Sequence, residues 1–185
     1  MTFPPAAAAA PRRTLVLGGV RSGKSHLAEA LARRCDLPVT YVATARAWDA
    51  EMERRIASHR RRRPADWRLV EEPLDLASTL ARECRDERCV LVECLTLWLT
   101  NRLMECDRDA DLERDIDTLA AAVDAAPGRL ILVGNETNMG VTPVGELSRR
   151  YCDLAGRLHR ELAARCDQVL LLVAGLPLTL KGPTP

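Results

Sequence analysis

Residues 14–25 read Thr14-Leu-Val-Leu-Gly18-Gly-Val-Arg-Ser-Gly-Lys24-Ser25, and this stretch decides the fold. From Gly18 onward it fits the Gly-x4-Gly-Lys-Ser pattern of a phosphate-binding loop. The apolar run before the loop predicts a buried strand, and KSHLAEALARR after it predicts a helix that begins at Lys24. In such a unit the loop N–H groups and the helix N-terminus bind phosphate oxygens. The stretch therefore predicts a nucleoside triphosphate site, with Lys24 at the β- and γ-phosphates and Ser25 on Mg²⁺.

The rest of the chain alternates short apolar runs with longer amphipathic stretches, which is typical of βα units around a parallel sheet. The predicted strands are Thr14–Gly18, Val39–Thr44, Trp67–Glu71, Cys89–Cys94, Leu130–Gly134 and Val169–Ala174. The predicted helices are Lys24–Arg34, Asp49–Arg62, Asp75–Arg85, Leu95–Glu105, Asp111–Ala125 and Glu146–Arg165. We therefore expect an α/β fold, a mostly parallel P-loop NTPase-type sheet flanked by helices, in a single domain over residues 14–185. The Pro- and Ala-rich residues 1–13 predict a disordered N-terminal tail and do not resemble a secretion signal.

The last predicted helix carries an apolar stripe at helical spacing, which predicts a face turned toward the core. Its members are Leu147, Tyr151, Leu154, Leu158 and Leu162. His26 and His159 occupy helical positions that predict solvated side chains without an assigned role.

Composition argues against several classes of protein. The chain has 185 residues, a formal net charge of +1 and 3% aromatic residues, so neither its overall charge nor its supply of stacking side chains predicts nucleic-acid binding. Seven cysteines are scattered singly without a Cys-x-x-Cys pair, which predicts reduced thiols in a cytoplasmic protein rather than a zinc site. No apolar run approaches the roughly 20 residues of a membrane helix.

A carboxylate stands at the end of one predicted buried strand. P-loop enzymes hold the hydration shell of their metal ion with an acidic residue at a strand tip, and Glu93 ends the run Cys89-Val-Leu-Val-Glu93. Glu93 is therefore a candidate metal residue beside Ser25. The alternative is a strand-end glutamate that faces solvent.

The segment from Trp48 to Pro64 combines a histidine with a run of arginines. On a helix, Trp48, Met52, Ile56 and His59 share one face, and Arg60–Arg63 follow directly. The arginines could bind triphosphate oxygens, and a neutral imidazole is a competent nucleophile toward phosphorus. The pattern is equally compatible with a half-buried histidine above a solvated basic run, so it leaves both interpretations open.

Several motifs in order resemble one family. They are GGVRSGKS, YVATA at Tyr41–Ala45, EMERRIASHRRRRPADWRLVEEP, VLVECLTLWLTN at Val90–Asn101, and VGNETNMGVTP followed by RYCDLAGRLHRELAARCDQVLLLVAGLPLTLKG. The chain resembles, from about Thr14 to Lys181, the bifunctional adenosylcobinamide kinase / adenosylcobinamide-phosphate guanylyltransferases of cobalamin biosynthesis. A tail like residues 1–13 has no counterpart in the family core.

The resemblance implies two reactions. Adenosylcobinamide would take the γ-phosphoryl group of ATP or GTP, and a histidine would then carry GMP from GTP to adenosylcobinamide phosphate, giving adenosylcobinamide-GDP and pyrophosphate. The histidine at the matching position is His59, so the resemblance favours the catalytic interpretation. It also implies Mg²⁺ as cofactor, a cytoplasmic enzyme, and a homo-oligomer, suggested to be a trimer.

The resemblance also assigns the residues that bind nucleotide. These are Gly18, Gly19, Val20, Arg21, Ser22, Gly23, Lys24, Ser25, Ala43, Thr44, Ala45, Arg60, Arg61, Arg62, Arg63, Glu71 and Glu93. Lys24 and His59 would be catalytic, and Ser25 and Glu93 would hold the metal. The loop Asn135–Gly140 is expected near the corrinoid or the phosphates, because the family counterpart also ends in Met-Gly.

Two rival functions remain. The first is a P-loop kinase of another small molecule, in which His59 is structural and only the γ-phosphoryl group moves. The second is a non-enzymatic RNA-binding protein, in which Arg60–Arg63 and the N-terminal arginines form the binding surface and the P-loop is a switch. The net charge of +1 argues against the second.

Overall fold

The computed structural model describes residues 10–185, and within the helix Ala50–Arg62 it leaves the side chains of Arg55, Ser58, His59 and Arg62 undescribed. The predicted tail therefore lies outside the described residues up to residue 9. The first strand begins at Arg13, one residue before the expected start of the domain. The backbone N–H groups of Arg12 and Arg13 both donate to Asp167 Oδ2, at 3.0 and 2.9 Å, which ties these residues to the sheet.

The described residues alternate strands and helices nearly as predicted. The strands are β1 (Arg13–Gly18), β2 (Val39–Ala43), β3 (Arg68–Glu71), β4 (Cys89–Glu93), β5 (Arg129–Asn135), β6 (Gln168–Val173) and β7 (Leu176–Lys181). The helices are α1 (Lys24–Arg34), α2 (Ala50–Arg62), α3 (Leu76–Glu83), α4 (Leu95–Glu105), α5 (Asp109–Ala125) and α6 (Glu146–Arg165). None of these helices combines the length and the apolar content that crossing a membrane requires.

The strands form one sheet in the order β3-β2-β4-β5-β1-β6-β7, and β1 to β6 run parallel. This confirms the predicted α/β fold with a mostly parallel sheet of the P-loop NTPase type. The register places the last residues of neighbouring strands side by side: Gly18 pairs with Asn135, and Ala43 pairs with both Glu93 and Glu71. The carboxyl ends of five strands therefore bring predicted site residues to one edge, where ligands of open α/β sheets bind.

Both faces of the sheet are covered. Leu15 and Leu17 of β1 belong to a core shared with α3, α4, α5 and α6, whereas Val16 between them belongs to a core shared with α1. The alternation follows from the period of two along a strand, and it explains why the parallel strands are apolar at nearly every position. The two cores fix the strand ends that carry the site.

The strand β7 was not predicted. It pairs antiparallel with β6 through a two-residue turn, Ala174-Gly175, in which both residues have positive φ, at 52° and 82°. Such turns normally carry Asn or Asp at the first position, so Ala174 gives no sequence signal. Pro177 also argues against a strand, but it is tolerated because β7 lies at the edge of the sheet.

Two predictions for α6 were wrong. Leu154, Leu158 and Leu162 are buried as expected, but Leu147 is 50% exposed because the first turn of α6 extends beyond the layer on which it packs. His159 was expected in solvent and is 9% exposed. Its ring faces Gly134 of β5, and a Cβ at that glycine would lie 3.3 Å from His159 Nε2, so the missing side chain makes room for the ring.

Candidate functional site

Backbone conformation and close packing fix the shape of the loop between β1 and α1. Gly23 has φ of +98°, a left-handed conformation that glycine adopts without strain. Gly18 packs so closely that a Cβ would lie 2.5 Å from the carbonyl oxygen of Leu172. The N–H of Gly175 in the β6–β7 turn donates to the carbonyl oxygen of Ser22 at 3.1 Å, so the unpredicted hairpin supports the loop.

The lysine of the loop lies against the loop backbone. Lys24 is buried, and its Nζ donates to the carbonyl oxygen of Gly19 at 2.6 Å. Burial lowers the pKa of Lys24, and the nearby Cys94 and Glu93 act in the opposite direction. Phosphate oxygens at this position would compensate the buried cation more fully than one carbonyl does.

Two oxygen donors that could hold a metal ion lie in contact. The Ser25 hydroxyl donates to Glu93 Oε1, and the Tyr41 hydroxyl donates to Glu93 Oε2 at 3.3 Å. Burial, together with the adjacent Glu93, raises the pKa of Tyr41, so its hydroxyl stays protonated. The described residues contain no group of three or more His, Cys, Asp or Glu that could hold a metal. A hydroxyl oxygen and a carboxylate oxygen are ligands that suit a hard cation such as Mg²⁺, which takes its other ligands from phosphate and water.

These groups line a cavity of about 860 Å³ at the carboxyl edge of the sheet. A volume of several hundred Å³ is typical of small-ligand sites. Predicted nucleotide-binding residues that line it are Val20, Arg21, Ser22, Gly23, Lys24, Ser25, Ala43, Ala45, Arg60, Arg63, Glu71 and Glu93. Lining residues that the sequence did not single out for the site include Tyr41, Leu69, Pro73, Cys94, Leu97 and Val133.

The remaining predicted site residues have other positions. Gly18, Gly19, Thr44 and Arg61 are described and do not line the cavity. The side chains of His59 and Arg62 lie outside the described residues, although both positions belong to α2.

The helix α2 contributes to the wall of the same cavity as the phosphate-binding loop. Met52 and Ile56 line it with their half-buried side chains. Arg60 forms an ion pair with Glu71 of β3, and the Arg63 guanidinium lies 5.3 Å from the centroid of the Tyr41 ring. Both arginines are thus held at the cavity by contacts that an anionic ligand could exchange for its own oxygens.

The described lining of the cavity includes a thiol, Cys94, and an imidazole, His26. Burial raises the pKa of the Cys94 thiol to about 11, so at neutral pH it is protonated and a poor nucleophile. His26 follows Ser25 on α1 and also lines the cavity with an exposed side chain, as its helical position predicts.

The loop after β5 is only partly at the site. Asn135 lines the cavity, and the N–H of Glu136 donates to the carbonyl oxygen of Gly18 at 2.9 Å. Glu136 also accepts from the N–H of Asn138 at 2.8 Å and lies 3.4 Å from His159 Nδ1. Met139 is 74% exposed and lies outside the cavity lining.

The sequence analysis did not identify Asn101 or the supporting contacts of Thr44 in the cavity wall. Thr44, expected to touch nucleotide, is fully buried and holds Cys94 from behind the wall, and Asn101 of α4 holds Thr44. Asn101 closes the quoted motif VLVECLTLWLTN, and a lone amide among apolar residues at that helical position is a signal that could have found it.

Comparisons with known proteins agree with this geometry. A family model described as "Cobinamide kinase / cobinamide phosphate guanyltransferase" matches residues 14–180. A Pseudomonas aeruginosa protein named "Bifunctional adenosylcobalamin biosynthesis protein CobP" is 58% identical over 170 residues, covering 92% of this chain and 98% of the relative. The Escherichia coli K12 protein named "Bifunctional adenosylcobalamin biosynthesis protein CobU" is 38% identical over 179 residues, covering 90% and 98%. A solved Pyrococcus horikoshii OT3 structure has a TM-score of 0.58 at 8% identity, over 94% of this chain and 87% of that one, which is a likeness of fold alone.

Proposed function

The chain belongs to the cobinamide kinase / cobinamide phosphate guanyltransferase family, and on this premise we propose that it catalyses both reactions in one cavity. It phosphorylates adenosylcobinamide with ATP or GTP and then transfers GMP from GTP to adenosylcobinamide phosphate. The observation that carries the proposal is that a phosphate-binding loop and an arginine-bearing helix line the same cavity.

In the kinase step, the terminal hydroxyl oxygen of the aminopropanol arm bonds to the γ-phosphorus. The bond from the γ-phosphorus to the bridging oxygen breaks, and the nucleoside diphosphate leaves. Lys24 and the loop N–H groups bind the phosphates and stabilise the charge that develops on them. Ser25 and Glu93 would hold Mg²⁺, which offsets negative charge on the transferring group.

In the transferase step, a ring nitrogen of His59 bonds to the α-phosphorus of GTP, and the bond to the α–β bridging oxygen breaks, so that pyrophosphate leaves. A phosphate oxygen of adenosylcobinamide phosphate then displaces the histidine from the α-phosphorus. Position 59 follows Met52 by seven residues and Ile56 by three, and both of these α2 residues line the cavity. This spacing along α2 supports His59 as the nucleophile.

The nucleotide contacts are part of the same proposal. The loop residues Gly18–Ser25 bind phosphates, and Arg60–Arg63 bind phosphate oxygens. Ala43, Ala45 and Glu71 bind the nucleoside, while Thr44 supports them from behind the cavity wall. Glu71 suits guanine or ribose, because a carboxylate can accept two hydrogen bonds at once. We further propose a cytoplasmic homo-oligomer, with a trimer as the family precedent; the seven cysteines, all free, are compatible with a reducing compartment.

Product analysis tests the proposal. Purified protein is incubated with adenosylcobinamide, Mg²⁺ and either ATP or GTP, and the corrinoids are identified by mass spectrometry. ATP should give the phosphate alone, and GTP should give the phosphate and then adenosylcobinamide-GDP with one pyrophosphate per product. Formation of the phosphate alone with GTP would reduce the protein to a kinase, and no corrinoid product with either nucleotide would overturn both activities.

A further inference from the structure

A fully buried amide lies behind the wall of the nucleotide cavity. Asn101 of α4 is 0% exposed, and its Nδ2 donates to the carbonyl oxygen of Thr44 at 2.8 Å and to that of Pro73 at 3.1 Å. Both partners are carbonyl oxygens, so the amide nitrogen must face them. These carbonyls belong to two different loops, one after β2 and one after β3. A single side chain therefore joins two loops that are about 30 residues apart in the chain.

The first of these loops is also joined to the end of β4. The Thr44 hydroxyl donates to the carbonyl oxygen of Cys94 at 2.7 Å and accepts from the Cys94 N–H at 2.8 Å. The Thr44 N–H donates to the carbonyl oxygen of Glu93 at 3.1 Å. Thr44 and Asn101 together thus connect the ends of three strands, and we call these two residues the buried clamp.

The buried clamp holds the residues that face the nucleoside. Ala43 and Ala45 flank Thr44, Pro73 is itself a partner of Asn101, and all three line the cavity. The phosphate-binding loop is held by different contacts, from Lys24 to Gly19 and from the β6–β7 turn to Ser22. The supports of the two parts of the cavity meet at Glu93, whose carbonyl oxygen accepts from the Thr44 N–H and whose carboxylate accepts from Ser25. Asn101 itself contacts only the nucleoside part, through Thr44 and Pro73.

The amide of Asn101 is an exception among the buried residues of α4, which are otherwise Leu95, Trp98, Leu99 and Leu103. Asn101 Oδ1 is buried and has no hydrogen-bond partner among the described residues, and an unpaired buried acceptor destabilises a fold. Leucine at position 101 would remove this unpaired acceptor, but it would also remove the donor to the carbonyl oxygens of Thr44 and Pro73.

We propose that Asn101 is a positioning residue that sets the shape of the nucleoside part of the cavity, and that it acts through Thr44 and Pro73 without touching the ligand. The inference rests on the proposed nucleotide site. It implies that Asn101 matters for binding a whole nucleotide and does not matter for binding phosphates alone.

The test compares two ligands on the full-length protein. GTP uses both parts of the cavity, whereas inorganic tripolyphosphate uses only the groups that bind phosphate, which are the loop and the arginines Arg60–Arg63. Both ligands are titrated calorimetrically with Mg²⁺. Asn101→Leu should weaken GTP binding about tenfold, the equivalent of one to two hydrogen bonds, and leave tripolyphosphate binding within about twofold. The rate of GTP-dependent histidine labelling at subsaturating GTP should fall in parallel.

Gln168→Leu is the matched control. Gln168 is a similarly buried amide, 2% exposed, that accepts from Thr14 and donates to the carbonyl oxygen of Pro183 at the opposite edge of the sheet. Its loss should lower the melting temperature and leave the affinities of the folded protein for both ligands within about twofold. Thr44→Val replaces the hydroxyl group of the other clamp residue with a methyl group. This variant should also weaken GTP binding and leave tripolyphosphate binding within about twofold.

Four outcomes are possible. Selective loss of GTP affinity in Asn101→Leu, or in Thr44→Val if the first variant does not fold, supports the inference. Unchanged GTP affinity, or equal loss for GTP and tripolyphosphate, overturns it and assigns Asn101 to stability alone. The same selective loss in Gln168→Leu also overturns it. Wild-type protein that binds neither ligand overturns the proposed function as well, which separates the two failures.

Discussion

At the scale of single residues, two adjacent glycines of the phosphate-binding loop have different reasons to be there. Gly18 is in van der Waals contact with the β6 backbone and has φ of +150°, whereas a Cβ on Gly19 would meet nothing within 4 Å. Gly18 is therefore required by the packing of the loop against β6. The open space beside Gly19 leaves room for a ligand to approach the backbone.

This contrast gives a prediction for stability. Gly18→Ala should lower the free energy of unfolding by roughly 2 kcal/mol, because the new methyl group must displace the β6 backbone. Gly19→Ala should change it by less than about 0.5 kcal/mol. Urea denaturation of the two variants measures both values, and equal effects would contradict the assigned packing.

His159 gives a prediction for pH dependence. Burial lowers the pKa of His159, and Glu136 opposes this only in part. As the pH falls, the unfolded chain takes up a proton near pH 6.5, the ordinary value, before the folded chain does. The wild type should therefore lose stability between about pH 6.5 and the lowered pKa, by at most about 1.4 kcal/mol per pH unit.

His159→Gln removes the titration and serves as the reference. Chemical denaturation of both proteins from about pH 7.5 to 5.5 should show the wild type losing stability relative to the variant as the solution becomes acidic. Parallel curves, or a relative gain by the wild type, would show that the protonated imidazole is favoured by Glu136 after all.

At the scale of elements, α2 presents its arginines unequally to the cavity. Arg60 lines the cavity and pairs with Glu71, whereas Arg54 on the same helix is exposed and does not line it. A triphosphate can replace the carboxylate of Glu71 as the partner of Arg60. The helix α2 should therefore bind nucleotide through the Arg60 side chain and not through the net charge of the helix.

Alanine variants of these two arginines test this. Arg60→Ala should weaken GTP binding about tenfold, and Arg54→Ala, which removes the same charge from the same helix, should stay within about twofold. Calorimetric titration at two salt concentrations distinguishes a direct contact from a diffuse field. Equal losses that disappear at high salt would contradict the contact.

The elements also show what the sequence could and could not predict. β1, the loop and α1 were predicted because their signals are local: an apolar run, a glycine pattern and a helix start within residues 14–34. β7 was missed because its turn is Ala174-Gly175, without the usual Asn or Asp. His159 was placed in solvent because helical spacing alone does not show that Gly134, on another element, leaves room for its ring.

At the scale of the whole molecule, the parallel sheet assembles the site from distant parts of the chain. Its order places β1 beside β5 and β2 beside β4, so Gly18 lies next to Asn135 and Ala43 next to Glu93. The motifs predicted this meeting, since the carboxyl ends of parallel strands share one edge. The buried clamp of Asn101 and Thr44 was not predicted, because it depends on contacts between α4 and two loops that no local pattern specifies.

The family inferred from the motifs is confirmed by the family model and by the relatives from Pseudomonas aeruginosa and Escherichia coli. The division of labour within the cavity stays a prediction: Lys24 for both reactions, and His59 for guanylyl transfer alone. His26 offers a built-in comparison, because it is a histidine that lines the cavity.

The most direct measurement is covalent labelling of the protein with GTP that carries its label at the α- or the γ-phosphorus, with Mg²⁺ and no corrinoid. We predict acid-labile label from the α-position only, present in wild type and His26→Ala and absent in His59→Ala and Lys24→Ala. Label that persists in His59→Ala, or that His26→Ala removes instead, would contradict the central claim that His59 carries GMP.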